Sequence, residues 1–215
     1  MVRKSGADGS ARPVKPVSGV AERAKTSRHK DSLVRTAMRL FRRQGYAATG
    51  VQQIVTESAA PKGSIYYYFP EGKEALAAAA VMLAGEMVAR ELREIVESAD
   101  NLDDVVNGYC QLMAGWMEEG GFASGCPIAT TVLECAPHSD AVTQAGAAAF
   151  DQWTQTLADG FIRHGYRGVE ALGLAQMLIS AVEGALIVCR VAQNSQPLDN
   201  IAMRFTALTK KHESR

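Results

Sequence analysis

The chain has 215 residues, 47% of them hydrophobic, which allows a sizeable core and excludes a disordered protein. Lys and Arg number 23, as do Asp and Glu, so formal charge is zero and the average alone argues against a polyanionic partner. The average conceals a split: residues 1–73 hold 14 basic and 5 acidic side chains, whereas residues 74–215 hold 9 and 18. A basic first third suited to a polyanion is therefore joined to an acidic remainder suited to a small ligand or a second copy of the chain.

Residues 1–26 are rich in Gly, Ser, Pro, Lys and Arg without apolar periodicity, and read as a flexible basic arm. The arm lacks the apolar segment and cleavage site of a secretory signal. From Ser27, Leu33, Ala37, Leu40 and Phe41 recur at helical spacing, and Gln44-Gly45 ends the helix with a residue able to take a left-handed turn. A short second helix carries Val51, Ile54 and Val55, with Thr49 as its expected N-cap. A third, from Pro61 to about Tyr67, starts at a proline that pre-sets the helical dihedral. Two short helices behind a longer one form the layout of a helix-turn-helix.

The remaining chain reads as helix throughout, over Glu74–Ser98, Leu102–Glu118, Pro127–Cys135, His138–His164, Val169–Asn194 and Leu198–Lys211. The expected fold is all-α with about nine helices. Residues 27–75 form a helix-turn-helix domain, and residues 76–213 a helical bundle for ligand binding and dimerisation. Apolar stretches are too short, or too interrupted by Gln176, Glu183 and Arg190, for a transmembrane span. Cys110, Cys126, Cys135 and Cys189 lack the spacing of a zinc site. Neither a metal nor a cofactor is expected, and a cytoplasmic location with reduced thiols follows.

The informative segment is Gly45-Tyr46-Ala47-Ala48-Thr49-Gly50-Val51-Gln52-Gln53-Ile54-Val55, followed by Lys62-Gly63-Ser64-Ile65-Tyr66-Tyr67-Tyr68-Phe69. A two-turn reading helix inserts only a few side chains into a groove. Lys62 and Ser64 are expected to supply donors, and Gly63 to permit close backbone approach. Tyr66, Tyr67 and Tyr68 sweep most of the helix circumference, so one packs inward while two present hydroxyls to phosphates or bases. Gln52 and Gln53 either meet DNA or form a solvated face. A cap at Thr49 would aim the positive end of the second helix at the phosphate backbone.

In this ordered set, over about Ser27 to Leu76, the chain resembles the TetR family of transcriptional regulators. The resemblance implies an operator-binding homodimer released by a small effector, and gives Lys73 the role of a phosphate clamp. Two departures stand out. Ser58-Ala59-Ala60 replaces a turn that often contains Gly, so Ala59 must avoid a positive φ or accept about 1 kcal/mol of strain. Phe69-Pro70-Glu71-Gly72-Lys73 is one residue longer than usual; with Gly125-Cys126-Pro127-Ile128-Ala129 it is similar to an LmrA-like branch that often controls drug exporters.

For the acidic bundle, Met113, Trp116, Phe150, Trp153 and Met177 are candidate walls of a pocket for a small hydrophobic effector, against the alternative of plain core packing. Glu134, Asp151 and Glu183 interrupt apolar runs and must face solvent or have a partner, for which a lipophilic cationic ligand is the candidate. Gly173, Ala181, Gly184 and Ala185, with Leu178, Val182, Leu186, Phe205 and Leu208, are expected to build a four-helix interface from the last two helices of each copy. Alternatives are a repressor triggered by oxidation of Cys126 or Cys135, and an architectural DNA-binding protein without effector. An enzyme using Cys126 with His138 and Asp140 has no support in any oxyanion or metal motif.

Overall fold

The computed structural model describes residues 18–213. Among these the chain forms nine helices and no strand: α1 (Ser18–Gln44), α2 (Val51–Glu57), α3 (Ser64–Tyr68), α4 (Lys73–Ser98), α5 (Leu102–Glu119), α6 (Ala129–Cys135), α7 (Asp140–Arg163), α8 (Gly168–Ala192) and α9 (Gln196–Glu213). The helix α1 starts inside the segment expected to be an arm. Ala21, Glu22, Arg23, Ala24 and Lys25 are good helix formers, and a helix already anchored at Leu33–Phe41 extends through them at little cost. Residues 1–17 of that arm lie outside the described residues.

The apolar stripe of α1 is buried as its spacing dictates: Leu33, Ala37, Leu40 and Phe41 pack in one core with Ile54 of α2, Ile65 of α3 and Phe69. Two local expectations fail. Thr49 does not cap α2; it is fully buried, and its Oγ1 donates to the Gly45 carbonyl at 2.6 Å. Gly50 holds the cap position without a side-chain bond. Nor does α3 start at Pro61, because the Pro61 carbonyl accepts from Ser64 N in a turn and Gly63 sits at φ +84°, outside helical geometry. A β-carbon at residue 63 would meet nothing within 4 Å, so the backbone angle demands glycine here, not space.

The long helix α4 runs from this small domain into the bundle, where it lies against α7. A β-carbon on Gly85 would come within 2.7 Å of the Ala149 β-carbon, and the buried Trp153 Nε1 donates to the Gly85 carbonyl at 2.9 Å. Asn101 caps α5, accepting from Asp104 N, and Ser139 caps α7, accepting from Val142 N.

The last two helices differ from expectation in the face they bury. Leu178, Val182, Ala185, Leu186 and Phe205 are buried within this one chain, because the α8 and α9 stripes that contain them complete the bundle core. Only Gly173, Gly184 and Leu208 of the expected interface set are exposed, with Ala181 half-buried. The exposed side of α8 instead carries Val169, Met177, Ile187, Val188 and Val191, and that of α9 carries Met203. Contrary to the sequence expectation, α8 is long and apolar enough to cross a bilayer, with a mean hydropathy of 1.9 over its best window. Only 39% of that window is buried in the bundle, so its apolarity also lies on the exposed side of α8.

Candidate DNA interface and effector cleft

The segment from α2 to α3 exposes a small set of polar and aromatic side chains. Tyr66 is 65% and Tyr67 75% exposed, and Gln52 and Lys62 also face solvent. Tyr68 is half-buried, its ring edge-on to Tyr67 with centroids 4.9 Å apart. The inward member of the tyrosine trio is thus Tyr68, since Ile65 and Phe69 set the buried face of the helix. Two further candidates are less available. Gln53 accepts from Gln44 Nε2 at 3.0 Å and donates to Glu57 at 2.9 Å, so its amide is engaged within the chain. The Ser64 hydroxyl is shielded from solvent and presents no donor outward.

Behind this segment, the turn joining α1 to α2 is held from both sides. Lys73 Nζ donates to the Tyr46 carbonyl at 2.5 Å and lies 4.1 Å from the centre of the Tyr46 ring. Its ammonium therefore closes the turn instead of projecting freely as a phosphate clamp, and partial burial lowers its pKa. From the other side, the Glu134 carboxylate of α6 accepts from Tyr46 N at 3.1 Å and Ala47 N at 2.6 Å. Gly45, at φ +88°, leaves room for that carboxylate: a β-carbon there would lie 2.3 Å from Glu134 Oε1. The partner required of Glu134 is thus the backbone of the DNA-binding domain. Sequence spacing could not have supplied it, because the contact spans 88 residues.

The expected effector residues do not meet in one place. Phe150 and Glu183 do, in an open cleft of about 550 Å³ between α6, α7 and α8 whose walls include Val132, Leu133, Leu186 and Ile187. Arg190 and Glu134 lie in the same lining. Glu183 is the buried carboxyl of this lining: its Oε1 has no partner, and burial raises its pKa despite the adjacent Cys126 thiol. The Tyr109 hydroxyl, near enough to Glu183 for its charge to be felt, is also buried and unpartnered. Glu183, not the fully buried Tyr109, lines the cleft and is the group that a bound molecule would have to satisfy.

Trp153 and Met113 belong to the core, because Trp153 pegs α7 to α4 and Met113 is 2% exposed. Met177 is on the open side of α8, and Trp116 lines a different cleft beneath Arg42. Asp151 faces solvent, which removes any need for a buried partner. All four cysteines are buried, and burial pushes their thiols upward, to about 12 at Cys110. A thiol so held is a poor thiolate, which disfavours both a nucleophile and an oxidation trigger at Cys126. Among the described residues no group of three or more His, Cys, Asp or Glu side chains is placed to hold a metal.

Two family models match the chain. Residues 33–80 match the model of bacterial regulatory proteins of the tetR family, and residues 104–204 match that of the LmrA/YxaF-like transcriptional regulator C-terminal domain. The chain is 30% identical over 182 residues to the HTH-type transcriptional regulator YxaF of Bacillus subtilis, covering 85% of this chain and 95% of that protein. It is 34% identical over 175 residues to the HTH-type regulator Rv0196 of Mycobacterium tuberculosis, covering 79% and 88%. A TetR regulator crystal structure from Chloroflexus aurantiacus superposes with a TM-score of 0.71 at 26% identity, over 86% of this chain and 95% of that one. The chain belongs to the TetR family of helix-turn-helix transcriptional regulators, with a C-terminal domain of the LmrA/YxaF-like kind.

Proposed function

We propose that this regulator is a cytoplasmic repressor that binds a near-palindromic operator as a homodimer and is released by a small hydrophobic effector held between α6, α7 and α8. The observation that carries the reading is Glu134, which lines the α6–α8 cleft and also accepts two backbone N–H groups from the turn feeding the reading helices. A molecule that pushes α6 outward disturbs a contact that holds the DNA-binding domain in place, so occupation favours release. A coupling of 1 to 3 kcal/mol gives a roughly 5- to 150-fold loss of operator affinity.

On the DNA side, Lys62, Gln52, Tyr66 and Tyr67 are the side chains exposed to meet phosphates and base edges. One short α3 reads too few base pairs alone, and a dimer places two of them about 34 to 36 Å apart. The exposed apolar side of α8, with Met177, Val188 and Val191, and the α9 residues Met203 and Leu208 supply the self-complementary surface. On the effector side, the apolar walls and the single buried Glu183 carboxyl favour a lipophilic molecule with one hydrogen-bond donor, a cationic amine among them.

Fluorescence anisotropy on the DNA flanking the protein's own gene tests the reading. Wild type is expected to bind one fragment in a salt-dependent manner, and Lys62→Ala to bind it more weakly with a salt slope reduced by about one unit. Tyr67→Phe is expected to weaken the same complex. Unchanged affinity and salt slope in both variants would remove α3 from the interface.

A further inference from the structure

A second cleft, of about 570 Å³, lies where the DNA-binding domain meets the bundle. One wall is the arginine-rich side of α1, with Arg35, Arg39, Arg42 and Arg43; Met87 of α4 and Trp116 of α5 stand opposite. None of Gln52, Lys62, Tyr66 and Tyr67 lines it, so these arginines are separate from the exposed reading segment. The cleft's own carboxylates are Glu91, 3.3 Å from Arg90, and Glu119; Arg39 is matched by Glu57 at 2.6 Å. Beside it, an adjoining hollow of about 360 Å³ shares Arg35 and Met87 and adds Arg90 and Arg93, against Glu86. Positive charge therefore stays in excess along the whole seam.

Arg42 is the half-buried cation of this wall; burial lowers its pKa, and the charge of Glu119 across the cleft only partly offsets that. Its Nε donates to the Gly125 carbonyl at 2.8 Å, and its guanidinium lies 5.5 Å from the Trp116 ring centre. Both contacts fix its plane, yet among the described residues no carboxylate comes within salt-bridge distance of it. A half-buried guanidinium held flat, with donors left over, is pre-organised for a planar or tetrahedral oxyanion.

We propose that this cleft is a second ligand site for a small amphipathic anion, whose headgroup meets Arg42 with Arg35 or Arg43 and whose apolar body lies on Trp116, Met38 and Met87. Headgroups of sulfonate, carboxylate or phosphate type share the required chemistry. Since its walls come from α1 on one side and from α4 and α5 on the other, an occupant joins the two domains across their seam. This site takes an anion, where the α6–α8 cleft offers a buried carboxyl to a donor.

The test pairs two probes that differ in charge: anilinonaphthalene sulfonate and its uncharged parent phenylnaphthylamine, titrated into the full-length protein. The sulfonate is expected to bind about tenfold more tightly, the worth of one charge-assisted contact, and to accept energy from Trp116. Arg35→Gln with Arg43→Gln, both at exposed positions, should remove that advantage, and Trp116→Phe should diminish the energy transfer. Leu133→Gln, in the α6–α8 cleft, should leave sulfonate binding unchanged. Equal affinity for the two probes would overturn the proposal, as would loss of sulfonate binding in Leu133→Gln but not in the arginine variant. Neither result bears on effector release through Glu134, which the operator assay reads separately.

Discussion

Substituting Gly45 by Ala offers a quantitative test of the joint between α6 and the DNA-binding domain. The left-handed φ of +88° costs an alanine about 1–2 kcal/mol, of which about 0.4–1 is recovered because alanine also restricts the unfolded chain. The new β-carbon would stand 2.3 Å from Glu134 Oε1, so the carboxylate must swing away and release Tyr46 N and Ala47 N. Two partly exposed charge-assisted bonds contribute about 2 kcal/mol together. The Gly45→Ala variant should therefore lose roughly 3 kcal/mol, and Glu134→Ala about 2. In the double variant the bonds are already gone and the clash is relieved, so the total stays near 3 kcal/mol instead of the additive 5, a coupling of about 2. Urea unfolding of the four proteins at one fixed concentration measures this, provided the slope m is unchanged. Additivity within about 0.5 kcal/mol would show that Glu134 does not grip the turn.

Ala59 sits at φ +54°, so Ala59→Gly should raise stability by roughly 0.5–1 kcal/mol, seen as a higher thermal midpoint; a lower midpoint would deny strain in the α2–α3 turn. Burial holds the Glu183 carboxyl above its ordinary value of 4.5, so the folded chain binds that proton more tightly than the unfolded chain does, and stability falls as pH rises from about 4.5 through the raised value. Glu183→Gln should flatten that decline in urea midpoints; the same pH slope in both proteins would mean that the carboxyl is ionised at no cost. Val188→Glu, at a position 52% exposed on α8, should convert a dimer into a helical monomer in sedimentation velocity, and an unchanged dimer would move the interface elsewhere.

Sequence alone determined the helices and their order, because helix periodicity, caps such as Asn101 and breakers such as Gly45 act over a few residues. It also determined that one tyrosine of α3 packs inward while two stay outside, and left the inward one, Tyr68, to the structure. Tertiary structure decided which apolar residues are core and which line clefts: Trp153 and Phe150 stand three positions apart on α7, yet one pegs α4 and the other faces the α6–α8 cleft. It also decided that Lys73 closes the Tyr46 turn and that Leu186 turns inward while Val188 turns out. Packing likewise decided the partner of Glu134, whose carboxylate lies in the lining of the α6–α8 cleft and against the Tyr46 turn at once. Such a residue shows in sequence only as a charge in an apolar run. A carboxylate's partner is chosen by packing across dozens of intervening residues, and no local pattern encodes that distance.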